Sequence, residues 1–381
     1  MPEFPKNTDD LFKKRSIDWV AQNKMDATNY VTRFYNTSWN WRNQAYHTKW
    51  DRWERNYHSI YDPSIKVRKE SWQATMFIPS TVTNVETIGS AIARTLFGDK
   101  RPIGLEPREL GDELQAENNT ALLDYYIDRS EFPIFFTDVL KEALIYGSGF
   151  MKVFWEKKVD KRRIRVPNKE TFLEGFRNAR LPQTNGFKEE VQDILIKDQV
   201  RVEKVHIRDI FLEPNSNDMT RVLHREKVTY GELLQLAEAG LADKEAVKEL
   251  EHVTESDMFE ADMGSVLYER GITDPQLALP GHDKRHTVWE LTAPMPRRFF
   301  DQKLSGDSKK GQEIVSGKLL VASGKWFLGG EENPSQSMMP PFLKMDYIRT
   351  SETYGKGVCQ LMEGLQEELN EIRNQRVDNV R

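Results

Sequence analysis

The residues of this chain that could carry out chemistry form incomplete versions of known motifs. A phosphate-binding loop needs a glycine, four further residues, and then Gly-Lys followed by a hydroxyl residue, so that backbone amides surround the phosphate. Around Gly324 and Lys325, Leu319 stands at the position of the first glycine and Trp326 at that of the hydroxyl residue. We therefore expect that this chain does not hydrolyse ATP.

Gly147 and Gly149 could begin a dinucleotide-binding fingerprint, but Lys152 stands where its third glycine would fall. The predicted order there is helix to strand, the reverse of that motif. Ser148 between the two glycines lacks the Gly-x-Ser-x-Gly sequence of a hydrolase nucleophile. These residues predict the end of a helix.

Two pairs of side chains have the four-residue spacing of functional pairs, His282 with His286 and Asp124 with Asp128. A proline and a glycine precede His282, which favours a loop with solvated histidines over a helical zinc pair. The aspartates favour an ordinary amphipathic helix surface. Cys359 has no histidine nearby in sequence, which favours a role in helix packing over that of a catalytic nucleophile. We expect no cofactor, no metal and no enzymatic activity.

Composition limits the class of protein. The net charge is -5, which argues against a generally basic nucleic-acid coat because phosphate binding depends on clustered lysine and arginine. Charged residues make up 30% of the chain, as expected where much surface faces water or neighbouring subunits. The single cysteine excludes an internal disulfide, and no apolar signal or membrane segment stands out. We expect a soluble, intracellular protein.

One local cluster is strongly basic and lies in a predicted strand-turn-strand. It consists of Lys157, Lys158, Lys161, Arg162, Arg163 and Arg165, against the single Asp160. Such a cluster could contact DNA phosphates. It could also meet an acidic face of a neighbouring subunit, such as the tract 240–265, or form a solvated turn.

The predicted fold class is α+β. Residues 8–61 favour helix and carry many aromatic side chains, which could stack on single-stranded bases but at helical spacing more often bury against another helix. Further helices are predicted at 80–97, 113–128 and 133–147, and short strands follow Gly149. The later strand candidates are 221–228, 286–291, 313–321 and 325–328.

The last segment predicts a long helix. Its apolar residues recur every three or four positions, which places them on one stripe that would pack against a second helix or a neighbour. These residues are Val358, Leu361, Leu365, Leu369 and Ile372. Because no helix-ending signal follows, we expect the helix to run to Arg381 and the parent protein to be longer.

Four sequence stretches, in the same order, resemble bacteriophage portal proteins, the head-to-tail connectors. The stretches are 72–88 (WQATMFIPSTVTNVETI), 146–155 (YGSGFMKVFW), 205–214 (VHIRDIFLEP), and the tract from Pro340 through Gly355 and Gly357 into the last helix. The resemblance implies an elongated subunit with a mainly helical wing, inserted β-strands and the start of a long stem helix. The clip, the crown and the rest of the stem have no counterpart here.

On this resemblance the chain divides into four parts. They are an aromatic-rich helical segment at 1–62, a helical wing at 63–148, an α+β wing at 149–349 with an acidic helix and loop near 240–285, and the helix leading into the stem at 350–381. Arg373, Arg376 and Arg381 are then the candidates for facing DNA in a channel.

The resemblance further implies a ring of usually twelve copies at the portal vertex of the capsid, assembled in the host cytoplasm. Double-stranded DNA would pass through it during packaging and ejection. The partners implied are the large terminase, the capsid and tail adaptor proteins. Two alternatives stay open, a carbohydrate-active hydrolase that uses the nine tryptophans and scattered carboxylates, and another ring-forming head-tail adaptor.

Overall fold

The fold is α+β, as predicted, and ends in a long helix. The computed structural model describes residues 8–98, 103–109, 111–167, 187–251, 284–304, 308–333 and 339–380. The chain divides into two compact units. The first consists of Met1–Asp99, Phe135–Lys152 and Lys204–Arg381, and the second of Lys100–Ile134 and Val153–Glu203.

The helices mostly follow the predicted pattern. They are α1 Thr8–Arg42, α2 Thr48–Tyr57, α3 Pro63–Arg68, α4 Ser80–Phe97, α5 Glu113–Arg129, α6 Phe132–Tyr146, α7 Tyr230–Glu238, α8 Lys244–Leu250, α9 Lys309–Gln312 and α10 Val358–Asp378. A π-helical turn, Asn43–His47, joins α1 to α2, and a short 3-10 helix spans Arg297–Phe299. The last helix ends at Asp378 with Asn379 as its C-cap, so the prediction that it runs to the last residue is wrong.

Between residues 148 and 205 the strands are fewer and longer than predicted. The strands are β1 Ser148–Pro167, β2 Phe187–Val205, β3 Ile210–Leu212, β4 Val222–Thr229, β5 Arg285–Pro296, β6 Ile314–Ala322, β7 Trp326–Glu332 and β8 Phe342–Asp346. The four short strands predicted between 150 and 207 are two long ones. Charged residues do not interrupt a strand whose faces are open to water, and Lys157, Arg162, Arg163 and Arg165 are all exposed.

The core of the first unit lies on both sides of a five-stranded antiparallel sheet with the order β3-β4-β5-β6-β7. On one side, α1 packs through Ala27, Val31 and Tyr35, and the Tyr35 ring stacks on Trp289 with a centroid distance of 4.1 Å. A second cluster joins α7 and α8 to the sheet. It buries Val247 and Leu250, so the acidic helix is only partly solvated.

Among the described side chains, the aromatic residues of the first two helices are buried or partly buried against the core. Tyr35, Trp50 and Trp53 are buried, and the rings of Trp50 and Tyr354 meet edge to face. Buried Arg42 lies 3.9 Å from the centroid of the Phe211 ring and donates to backbone carbonyls. These rings are therefore not available to stack on bases, and Trp50, Trp53 and Trp289 cannot line an open sugar cleft.

The second unit contains α5 and the outer parts of β1 and β2. Trp155 on β1 meets the Tyr126 ring of α5 edge to face and donates its indole hydrogen to Asp198 on β2. Arg129 on α5 donates to the side-chain oxygen of Gln199 at 2.6 Å. No residue of α5 is fully buried, so this unit is held by partly exposed contacts.

Candidate functional site: the last helix and the segment bound to it

The start of α10 is fixed by a glycine turn against the junction of α6 and β1. Gly147 has a φ of +97°, and a Cβ built there would lie 2.1 Å from the carbonyl oxygen of Gly355. Ser148 donates its hydroxyl to Asp346 and accepts a hydrogen bond of 2.9 Å from the Gly355 amide. The sequence around Ser148 therefore forms the junction that positions α10, and Ser148 itself makes structural hydrogen bonds.

The first turns of α10 pack in the usual apolar way. Val358 and Cys359 are buried in the large core cluster with Trp50 and Tyr354. Burial raises the pKa of the Cys359 thiol to about 12, so this cysteine stays protonated and packs as a small apolar side chain. Glu363, one turn further on, accepts hydrogen bonds from Trp53 and Arg52 of α2.

Beyond Glu363 the face of α10 that packs against the protein is polar. It carries a row of four hydrogen-bonding residues at four-residue spacing, here called the ladder: Gln366, Asn370, Asn374 and Asp378. Beside it runs an extended segment, residues 74–78, here called the strap, which leads into α4. Gln366, Asn370 and Asn374 are buried, although asparagine and glutamine usually lie at the surface.

Each rung of the ladder accepts a backbone N–H of the strap or of the first turn of α4. The four bonds run from Ala74 N to Asp378 Oδ1 at 2.7 Å, from Met76 N to Asn374 Oδ1 at 2.8 Å, from Ile78 N to Asn370 Oδ1 at 2.9 Å, and from Thr81 N to Gln366 Oε1 at 3.0 Å. Two rungs also donate back, from Asn374 Nδ2 to the Met76 carbonyl and from Gln366 Nε2 to the Ile78 carbonyl. The helix side chains thus take the place of a neighbouring β-strand.

This pairing works because two backbone repeats nearly coincide. Four residues of an α-helix rise about 6.0 Å, and two residues of an extended chain rise about 6.6 Å. Side chains at i and i+4 therefore stay in step with alternate residues of the strap over three rungs. Residues 76 and 78 direct both N–H and C=O towards α10, so amide side chains, which donate and accept, fit these positions. The Ala74 carbonyl accepts from Lys69 instead, so its rung, Asp378, needs only to accept.

The apolar stripe predicted on this helix lies away from the ladder. Leu361, Leu365, Leu369 and Ile372 are 54%, 58%, 41% and 49% exposed, and only Val358 of the five predicted packing residues is buried. At 100° per residue, the stripe and the ladder occupy nearly opposite faces of α10. Among the described residues, nothing buries Leu361, Leu365, Leu369 or Ile372, and hydrogen bonds hold the opposite face of α10 against its own chain. The contact of the stripe with a neighbour stays a prediction.

The two groups of basic candidates lie at the surface where they are described. Arg373 and Arg376 on α10 are exposed, and Arg381 lies outside the described residues. In the basic hairpin, Lys157, Arg162, Arg163 and Arg165 on β1 are exposed, whereas the side chains of Lys158 and Lys161 are outside the described set.

A buried ion-pair cluster connects β1 with the five-stranded sheet. The Glu290 carboxylate on β5 pairs with Lys152 and lies 3.7 Å from His224 Nδ1. Burial alone would raise the pKa of Glu290, but the neighbouring His224 and the charges of Lys152 and Lys318 outweigh burial and lower it to about 2. The possible ligand atoms of His224, Glu226 and Glu290 all lie within 4.8 Å of one another, as the ligands of a metal ion would. Lys152 pairs with Glu290, and Lys318, which pairs with Glu331, adds a second positive charge nearby; both disfavour a cation at Glu290.

The other catalytic candidates are in structural positions. Gly324 has a φ of +69° in the turn that joins β6 to β7, which explains Gly324-Lys325 without a bound phosphate. His286 is buried in β5, and His282 lies outside the described residues. Asp128 is exposed and Asp124 partly buried on α5.

A long helix with an apolar face turned outward is typical of a subunit that works in an assembly. Residues 43–276 match the family described as Phage SU10 portal protein. Because this match covers more than half of the chain, the chain belongs to this family of phage portal proteins. No curated protein matches the sequence. Within the described residues, no helix is both long and apolar enough to span a bilayer.

Proposed function

We propose that this protein is a portal subunit that assembles into a closed ring at one vertex of the capsid and forms the conduit for double-stranded DNA. The observation that carries the proposal is the outward apolar stripe of α10. A stripe of four half-exposed aliphatic side chains over three helical turns costs free energy in water unless a neighbour covers it.

A ring also explains why α10 has two unlike faces. The ladder fixes α10 to its own subunit, so the stripe is held at a constant orientation for the next copy. In a rotationally closed ring every subunit uses one surface to meet a different surface of its neighbour. The stripe would be one of these surfaces. The usual number in portal rings, twelve, is our working expectation.

The remaining parts of the proposal concern partners. Arg373 and Arg376 are exposed near the end of α10 and would meet DNA phosphates if this end faces the channel. The large terminase would supply ATP hydrolysis for packaging, since the phosphate-loop sequence is incomplete in this chain. Capsid and tail adaptor proteins would bind the ring in the virion. Assembly would take place in the host cytoplasm.

Mass photometry of the product of the complete gene tests the role of the stripe. The double variant Leu365→Glu with Leu369→Glu should abolish rings, because it places two carboxylates in each apolar contact. The matched control is Gln375→Glu, which adds a carboxylate to an exposed position outside the stripe and should leave rings intact. If the double variant still forms rings, the stripe is not part of the contact between subunits.

A further inference from the structure

The elements on the two sides of α10 indicate which surface of a neighbouring copy covers the stripe. The strap lies on the ladder side of α10, held by the rungs. The short helix α3 lies on the same side, because its Ile65 and the following Lys69 line the cleft beside α10. The stripe occupies the nearly opposite side of α10. One subunit therefore carries the stripe on one side of this helix, and α3 with the strap on the other.

The segment that contains α3 and the strap exposes large apolar side chains. Val67, Trp72 and Met76, here called the patch, are 86%, 60% and 46% exposed. Val67 points away from α10, because Ile65 and Lys69, two residues before and after it, face the cleft. Single exposed apolar residues are ordinary, but three within one short segment are typical of a binding surface.

The middle of the stripe is bordered by a negative charge. Glu368 is exposed and follows Leu365 by three residues, so the two side chains are neighbours on the helix surface. Arg373 and Arg376 come after Ile372, where the stripe ends. A surface that covers the middle of the stripe therefore meets the carboxylate of Glu368.

The charges around the patch are mainly of the opposite sign. Residues 66–76 carry three basic side chains and one acidic side chain, Glu70. Lys66 and Arg68 stand on either side of Val67 and are exposed. Among the described residues, neither of them nor Glu368 makes an ion pair. Contact of the stripe with the patch would bring these unlike charges together, whereas contact of two stripes would bring together two copies of Glu368.

We propose that the stripe of one copy packs on the patch of the next copy, so that each α10 is held between its own strap and the α3–strap segment of a neighbour. The inference rests on the proposed ring and names the second surface that the ring requires. In a closed ring two different surfaces meet at every contact. When the ring has many copies, each is turned only slightly from the last, so the two surfaces lie on nearly opposite sides of the subunit. The stripe and the patch have this arrangement about α10.

Cross-linking between cysteine pairs in the product of the complete gene tests this contact. Leu365→Cys is combined with Met76→Cys or with Val67→Cys, and a bismaleimide with a reach of about one helix diameter, 10 Å, is added. Each pair should give a series of covalent oligomers on a denaturing gel, up to the subunit number of the ring. A mixture of the two single variants should give covalent dimers and nothing larger. The native Cys359 is fully buried and does not compete.

Met25→Cys with Leu365→Cys is the matched control, because Met25 is 60% exposed but lies on α1, outside the patch. It should give no covalent series. Mass photometry of the same samples shows whether rings are present. Rings without cross-links from either patch pair would overturn the inference and leave the ring in place, as would dimers from Leu365→Cys alone, which would mean that stripe meets stripe. Absence of rings in the parent protein would overturn both the inference and the proposed function.

Exchange of the charges gives a second test. Glu368→Arg should raise the subunit concentration at half assembly by about fivefold, because it places like charges at each contact. Adding Lys66→Glu and Arg68→Glu to it should return assembly towards that of the parent protein. The melting temperature of the subunit should change little, because all three side chains are exposed. If the triple variant assembles no better than Glu368→Arg alone, the patch does not meet the stripe.

Discussion

Replacing ladder residues of α10 should release the strap from the helix. In Asn374→Leu, Met76 loses the acceptor of its N–H and the donor to its carbonyl. A net contribution of about 1 kcal/mol for each hydrogen bond gives about 2 kcal/mol for this rung. The double variant Asn370→Leu with Asn374→Leu removes three strap bonds and the bond from Gln366 to Asn370, so it should cost about 4 kcal/mol, unless water replaces some of the bonds.

Hydrogen exchange of the strap amides measures this effect directly. A loss of about 2 kcal/mol in opening free energy accelerates exchange at Met76 by about 30-fold where opening is in equilibrium. The amide of Val85, buried in α4, should change much less, because the opening is local. The global unfolding midpoint reports whether the strap opens alone or with the rest of the unit.

Gln375→Leu is the matched control. Gln375 lies next to Asn374, and the hydrogen bond that its side chain makes goes to Glu371 on the same helix. Leucine favours helix more than asparagine and about as much as glutamine, so helix propensity alone would stabilise Asn374→Leu and leave Gln375→Leu nearly unchanged. Equal strap exchange in Asn374→Leu and Gln375→Leu would refute the ladder as the device that holds the strap.

Three further predictions concern stability of the first unit. Glu290 has a folded pKa of about 2 against an ordinary value of 4.5, so its ion pair stabilises the fold above pH 4.5. This stability, as much as about 3 kcal/mol, should be lost as the pH falls towards 2. In denaturant melts from pH 2 to 7, the free energy of unfolding should therefore depend less steeply on pH in Glu290→Gln than in the parent protein. An equal dependence on pH in the two proteins would contradict the assignment. Gly147→Ala should destabilise the fold by more than about 3 kcal/mol, because Gly147 has a positive φ and an added Cβ would clash with Gly355. Gly364→Ala lies in open space within α10 and should stabilise the fold by about 1 kcal/mol. Thermal melts that rank the two variants the other way would contradict this geometry. Thr229→Ala removes a capping box at the start of α7 and should cost about 1 kcal/mol in urea unfolding, while no loss would show that the cap is replaced by water.

Much of the local structure was predictable from the sequence. Pro79 and Ser80 marked the start of α4, because proline fixes φ near the helical value. Gly147 marked the end of α6, because glycine adopts a positive φ readily. The alternation of apolar residues at 286–291 and 313–321 predicted β5 and β6. The very short β3 and the strand β8 carried no such pattern of their own and depend on partners distant in the chain.

The functional face of α10 was predictable only in part. The apolar period correctly indicated a helix, but an apolar stripe does not reveal whether it faces the core of its own chain or another chain. The ladder was visible as Gln366, Asn370, Asn374 and Asp378 at four-residue spacing. Its role in binding the strap could not be predicted, because the strap lies about three hundred residues earlier in the chain. The charged cluster around Glu290 was likewise hidden, since it joins strands from separate parts of the sequence.

Electron-microscope class averages of the purified product of the complete gene, with mass photometry on the same sample, test the central claim most directly. We predict closed rings of one subunit number, with a central hole wide enough for a DNA duplex and with α10 at the contact between subunits. A homogeneous monomer, or an open assembly without a central hole, would contradict the assignment of this chain as a ring-forming conduit for DNA.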